Sequence, residues 1–285
     1  MDAITGNPTD FRGKVVLDVG TGTGILAWFA VRAGAKKVYA VEASGMARWA
    51  KKLMDANGVG DIVEVVNGKV EEVDIKEQVD VIISEPMGFM LVHERMLEAF
   101  IAARRRFLKP TGKMMPTVGT IFCAPFTDEA LHQEQMSKSV FWHRKDFYGL
   151  DLTSLAEGAA ADHFCQPVVG YLDPNSLISD DRATHTINFQ KDTEKDLEVI
   201  DIPLAFTVSR TALCHGIATW FDVEFHGTTK RVTLSTSPFS PATHWYQCRL
   251  LLRHPIAVNA TQKLTGNIHM TVNSKFSYNI ELTGE

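Results

Sequence analysis

The sequence is poor in cysteine. Only Cys123, Cys165, Cys214 and Cys248 occur in 285 residues, widely spaced and with no CxxC pair. That spacing suggests neither a disulfide framework nor a zinc site, so no metal is expected, and reduced thiols of the cytosol or nucleus fit it best. Long apolar runs are also missing. None approaches the ~20 residues of a membrane-spanning helix, and the opening MDAITGNPTDFRGK lacks the apolar stretch of a secretory signal, so no membrane partner is expected. Positive charge is not in excess: 29 Lys and Arg stand against 34 Asp and Glu, a net charge of −5. This argues against a general nucleic-acid surface and is compatible with an acidic pocket for a basic ligand. The one run of three basic residues, Arg104 to Arg106, closes an amphipathic helical stretch and reads as a solvated helix end rather than a nuclear signal.

What is present is an ordinary globular composition, 45% hydrophobic and 22% charged. The length exceeds what one core usually serves, so two domains are expected, over residues 1–116 and 117–285. The first alternates strand and helix signals: VVLDV (15–19), ILAWFAVRAG (25–34), KVYAVE (37–42), SGMARWAKKLMDANG (44–58), DIVEVV (61–66), VDVIIS (79–84) and HERMLEAFIAARRRFL (93–108). Ser44 is a candidate N-cap, and Lys109-Pro110 is expected to end the last helix. This order predicts an α/β fold with a parallel sheet. After Pro116 the segments are strand-length and rich in β-branched and aromatic residues, among them TIFCAPF, THTINF, LAFTVS, GIATWFDVEF, RVTLST and WYQCRLLL, which predicts a β-barrel or sandwich. Residues 128–164 interrupt it with a helical excursion.

DVGTGTGIL carries Asp18, Gly20, Gly22 and Gly24 where the first strand turns into a helix. Glycines allow a tight turn and close approach of a ligand to the backbone. The dinucleotide fingerprint places its third glycine one residue later, so a nicotinamide site is disfavoured and S-adenosylmethionine suits the spacing better. Glu42 closes the second strand, where a carboxylate can accept both ribose hydroxyls. Glu71, after the third strand, reads equally as a contact for an adenine amino group and as a plain loop acid.

SEPMGFMLVHERML (84–97) then places Glu85 directly after an apolar strand and Glu94 nine residues on. Two carboxylates converging beside the crevice of a parallel sheet would repel each other unless a cation lay between them. Guanidinium is the natural one, since it stays charged and its planar donors fit carboxylates bidentately. Spacing alone fits a loop acid and a helix-initiating acid just as well.

SEPMGFMLVHERML resembles the double-glutamate loop of the protein arginine methyltransferases. VLDVGTGTGIL, VYAVEAS and NGKVEEV resemble the cofactor, ribose and adenine segments of that family, and PATHWYQ (241–247) its Thr-His-Trp loop. SEPMG, FTDEAL and TWFDVEF are most similar to its coactivator-associated, or type 4, branch, which makes asymmetric dimethylarginine. The resemblance implies a Rossmann-like S-adenosylmethionine-dependent methyltransferase domain followed by a β-barrel carrying a helical dimerisation arm. It implies cofactor contacts at Asp18, Gly20, Gly22, Gly24, Ile25, Leu26, Glu42, Ala43, Val70 and Glu71, with S-adenosyl-L-homocysteine as product. Glu85 and Glu94 would hold the substrate guanidinium, and Met87, Met96 and Trp245 would shape its pocket. His244 would orient the glutamates or help the proton leave; without the resemblance it reads as an ordinary strand-end histidine.

Arginine-containing proteins, such as histones and other chromatin- or RNA-associated proteins, would be the substrates, in nucleus and cytoplasm. Direct nucleic-acid binding is not implied, and a homodimer through the arm is. Relatives carry helices ahead of the first strand that close over the cofactor, whereas only six residues here precede NPTDFRGK. The chain as given is therefore expected to bind cofactor weakly, and a silent scaffold of the same fold is the alternative.

Overall fold

A computed structural model describes residues 1–284. Two helical turns, α1 (Asp2–Thr5) and α2 (Pro8–Phe11), lead into β1 (Val15–Val19), α3 (Ile25–Arg32), β2 (Lys37–Glu42), α4 (Ala47–Ala56), β3 (Val63–Asn67), β4 (Val79–Ser84), α5 (Met96–Phe107) and β5 (Leu108–Met115). The five strands form one parallel sheet in the order β3-β2-β1-β4-β5. All five residues of β1 are buried and β4 is nearly so, which is why these strands are continuous apolar runs rather than alternating ones. Small residues of α3, Ala27 and Ala30, lie fully buried against Val16, Val38 and Ala40 on one face of the sheet. On the other face Leu97, Phe100 and Ile101 of α5 belong to a core that runs on without a break into the β-rich half.

That half contains β6 (Val118–Phe126), α6 (Glu129–Ser137), α7 (Ala156–Phe164), β7 (Val168–Gly170), β8 (Ala183–Asn188), β9 (Val199–Thr207), β10 (Ala212–His226), β11 (Arg231–Ser235), β12 (Gln247–Val258), β13 (Lys263–Val272) and β14 (Tyr278–Gly284). An antiparallel sheet ordered β7-β12-β10-β6-β8, with β11 added to β10, closes barrel-fashion with a second sheet, β14-β13-β9. β9 buries every second residue, the period of a strand with one face inward. The excursion is α6, two short 3-10 turns and α7; Asp128 caps α6 by accepting the Leu131 N–H at 2.9 Å.

Two local expectations are corrected. Ser44 is not the cap of α4, which starts at Ala47; its hydroxyl accepts the Met46 N–H in a turn ahead of the helix. The helix expected from residue 93 starts at Met96, because Glu94 and Arg95 take left-handed backbone (φ 72° and 56°) and cannot continue a right-handed turn. The helix does end ahead of Lys109-Pro110, at Phe107, and the chain passes straight into β5, which absorbs the proline in a register shift against β4.

A dense polar clip joins the two halves. Asn7 is fully buried; its amide donates to Ala3 O and Lys230 O and accepts from the N–H groups of Thr229 and Lys230. Asp10 accepts from Thr228 and from the Lys113 ammonium at 2.8 Å. Every hydrogen-bonding position of the Asn7 side chain is filled, so the β10–β11 turn has a defined seat on the parallel-sheet half.

Candidate active site

The strand order reverses between β1 and β4, and a ligand crevice in such a sheet lies outside the carboxyl ends of those strands. β1 delivers Asp18 and the glycine turn there, β2 delivers Glu42, and β4 delivers Glu85. Gly20, Gly22 and Gly24 all have positive φ (68°, 57° and 92°), the region that favours glycine. A Cβ on Gly22 would meet nothing, so open space adjoins the turn, whereas one on Gly20 would collide with the Met96 methyl. Met96 thus reaches from the start of α5 onto the glycine turn.

Glu42 organises this turn. Its Oε2 accepts the Gly22 N–H at 2.9 Å and its Oε1 the Ser44 N–H at 2.8 Å. Burial works against the charged carboxylate, but the hydrogen bonds from Ser44 and Gly22 outweigh it and hold its pKa below the usual value. Asp18 is fully buried; its Oδ2 accepts from the Thr21 hydroxyl and, at 3.0 Å, from Ala27 N–H, while Oδ1 has no partner. Burial pushes its carboxyl up to about 7, the charge of Glu42 adding to the effect.

Ile25 is exposed at the first turn of α3, Leu26 is half-buried beside the turn, and Ala43 and Glu71 are exposed, the latter in the loop after β3. Val70 has its side chain in the core, and its carbonyl accepts from Arg106.

The loop after β4 is closed on itself by Gly88, whose N–H donates to Leu91 O at 3.1 Å; a Cβ there would collide with the His93 carbonyl. Glu85 and Glu94 both open to solvent, yet they share one environment. Desolvation by the surrounding protein pushes the Glu85 carboxyl up to about 7, opposed by the Met87 N–H and reinforced by the charge of Glu94. Met87 is buried under the loop. From the barrel, Trp245 donates its indole N–H to Met87 O at 2.9 Å, and the exposed His244 ring lies 3.9 Å from the Trp245 ring, centroid to centroid. Among the described residues no hydrogen bond joins His244 to either glutamate.

Several residues that hold the two halves and the acid loop in place carry no motif. Asn7 and Asp10 lie in a segment with no periodic signal, and Arg95, Asn273 and Ser277 act across contacts that no local pattern announces. Arg95, beside Glu94 in the loop, is the one such residue whose position alone could have drawn notice.

Comparisons with known proteins agree with this arrangement. Residues 16–112 match the model of a methyltransferase domain, and residues 117–283 match that of the arginine methyltransferase oligomerization subdomain. The chain is 51% identical over 280 residues to the histone-arginine methyltransferase CARMER of Drosophila ananassae, covering 98% of this chain and 52% of that protein. It therefore spans about half the length of the curated relatives it matches. Protein arginine methyltransferase 10 of Arabidopsis thaliana, crystallised in a uniquely open conformation, superposes with a TM-score of 0.91 at 33% identity, over 100% of this chain and 87% of that one. The Trypanosoma brucei PRMT1 enzyme–prozyme heterotetramer, solved with AdoHcy, gives a TM-score of 0.85 at 30% identity, over 99% of this chain and 92% of that one. The chain belongs to the protein arginine methyltransferase family.

Proposed function

We propose that this protein is an S-adenosylmethionine-dependent protein arginine N-methyltransferase giving mono- and asymmetric dimethylarginine, with histones among its substrates. The observation that carries the reading is the placement of Glu85 and Glu94 at the reversal point of the sheet, where desolvation first, and the charge of Glu94 in addition, raises the Glu85 pKa. A guanidinium between them relieves that repulsion.

The residues around the glycine turn suit the cofactor. The orphaned Asp18 Oδ1, the open space at Gly22 and the ionised carboxylate of Glu42 provide acceptors and room for an aminoacyl group and a ribose. When bound, the cofactor supplies an electrophilic methyl group on a sulfonium. The chain's own part is to grip two guanidinium nitrogens with Glu85 and Glu94, which holds the third in line with the donor and draws positive charge away from it. Met87 and Met96 limit the space around that nitrogen, and His244 lies at the rim, where it can take up the released proton through solvent.

In this reading residues 1–116 form the cofactor domain and 117–285 the substrate domain. The arm over 128–164 joins two copies by docking on the cofactor domain of the second. Exposed Val140, Phe141, Leu150 and Leu155 on the arm and Trp49 and Leu53 on α4 support that pairing. The name of the Drosophila relative supports a nuclear role.

The test is transfer of labelled methyl groups from S-adenosylmethionine to an arginine-rich peptide, with mass analysis of the product isomer. Asymmetric dimethylarginine is expected. Retention of S-adenosylhomocysteine without any transfer would instead identify a silent scaffold.

A further inference from the structure

The loop bearing the two acids is rich in left-handed backbone: Met90, Leu91, Glu94 and Arg95 have φ of 52°, 69°, 72° and 56°, and none is glycine. Such backbone persists where its surroundings over-determine it. For Met90 and Leu91 the restraints are local, namely the Gly88–Leu91 bridge, the Val92 N–H on Met90 O at 2.8 Å and the complete burial of Leu91.

For Glu94 and Arg95 they come both from Glu98, on the next helix, and from the far end of the chain. Arg95 forks onto Glu98, Nε to Oε1 and Nη2 to Oε2, both at 2.9 Å, and its Nη1 donates to Asn273 O at 3.2 Å. His93 Nδ1 lies 2.8 Å from Ser277 Oγ. Asn273 and Ser277 are the two ends of the turn between β13 and β14, closed by the Asn273 N–H on Ser277 O at 2.9 Å and by Asn273 Oδ1, which accepts from Lys275 N–H. That hairpin is itself anchored: the Tyr278 hydroxyl donates to Leu197 O at 2.7 Å and the Val272 N–H to Glu198 O at 3.1 Å. Both chain neighbours of Glu94 are thus tied to one rigid turn.

We propose that the β13–β14 turn is the positioning device for the second acid: by holding His93 and Arg95 on either side of Glu94, it sets the direction in which the Glu94 carboxylate faces Glu85. The inference deepens the paired-acid reading and rests on it. The same contacts keep the Arg95 guanidinium engaged with Glu98 and Asn273, so that a cation of the chain itself does not fill the space between the two acids. His93 and Arg95 are positioning residues here.

The test uses the full chain with Ser277→Ala, Arg95→Lys and their combination. Glu94→Gln serves as reference, and Lys275→Ala, at the exposed tip of the turn, as control. Arg95→Lys keeps the charge and loses the fork. The combined variant is expected to lower kcat for an arginine peptide by about tenfold or more, with S-adenosylhomocysteine affinity within about twofold of the parent. In 13C carboxylate titration the Glu85 midpoint is expected to move to lower pH, since the Glu94 charge no longer stands beside it. Ser277→Thr, which restores a hydroxyl, should recover both readings, and Lys275→Ala should move neither. An unchanged kcat and Glu85 midpoint in Ser277→Ala and in the combined variant, with Glu94→Gln inactive, would overturn the proposal alone. Full activity of Glu94→Gln would overturn the paired-acid reading and this proposal with it.

Discussion

The indole N–H of Trp245 donates to the main-chain oxygen of Met87 at 2.9 Å, joining residues 158 positions apart. Met87 lies two residues after Glu85, and Trp245 belongs to the barrel, so this bond ties the barrel's edge to the acid loop. The ring also packs edge-to-face on Phe221 at 5.7 Å, which orients the donor. Trp245→Phe keeps an aromatic ring and removes the donor, leaving a buried carbonyl without a partner. A stability loss of about 1–3 kcal/mol in urea unfolding is expected, with a larger proportional loss in methyl transfer than in S-adenosylhomocysteine binding. Equal losses in both would mean that the bond serves folding only.

The pH dependence of substrate binding follows from Glu85. Its folded-state pKa is pushed up to about 7 against an ordinary 4.5, by desolvation first and by Glu94 as well, so the free protein favours a proton there, which a guanidinium would displace in the proposed complex. Binding of an arginine peptide is therefore expected to release protons below about pH 7, and to tighten as pH rises towards that value. Calorimetry in buffers of different ionisation enthalpy measures the release, and Glu85→Gln should abolish it.

Asp18 makes a separate prediction about stability. Burial, with Glu42 adding, raises its carboxyl from 3.8 to about 7, so the folded state favours the protonated form. Its contribution is greatest below pH 3.8 and is lost as pH rises to about 7. Asp18→Asn keeps the shape and removes the buried charge. It should unfold at higher temperature than the parent at pH 8, by a margin that shrinks towards pH 5; a margin independent of pH would contradict the assignment.

Glu42 holds the glycine turn through two backbone N–H groups, and its low pKa keeps it ionised at neutral pH. Glu42→Gln cannot accept on both sides. A loss of about 1.5–3 kcal/mol in S-adenosylhomocysteine binding is expected for a charged hydrogen-bonding partner, roughly tenfold to a hundredfold in Kd, readable by calorimetry. Unaltered affinity would remove Glu42 from the ribose site.

The exposed apolar residues of the arm predict an assembly. Phe141→Glu in the arm or Trp49→Glu on α4 should each convert a dimer to a monomer in sedimentation, because either places a charge in an apolar contact. A dimer that survives both would place the contact elsewhere.

Local patterns carried much of the design. The apolar runs of β1 and β4, the small residues of α3, the spacing of Gly20, Gly22 and Gly24 and the alternation along β9 each follow from the chain's own periodicity, because burial on one face or two leaves a regular trace in neighbouring residues. Glu42 was legible by its place at a strand end. Glu85 and Glu94 were legible as a pair through the resemblance of their loop, and their spacing alone left them as two ordinary acids.

The tertiary structure decided the rest. It moved the start of α5 to Met96, where Glu94 and Arg95 take left-handed backbone and the flanking His93 and Arg95 side chains meet Ser277 and Asn273. It joined Asn7 to Lys230 and Trp245 to Met87. A hydrogen bond between residues some 160 to 220 positions apart depends on how two halves of the chain dock, and docking is set by the summed packing of both cores, which leaves no periodic mark near either partner.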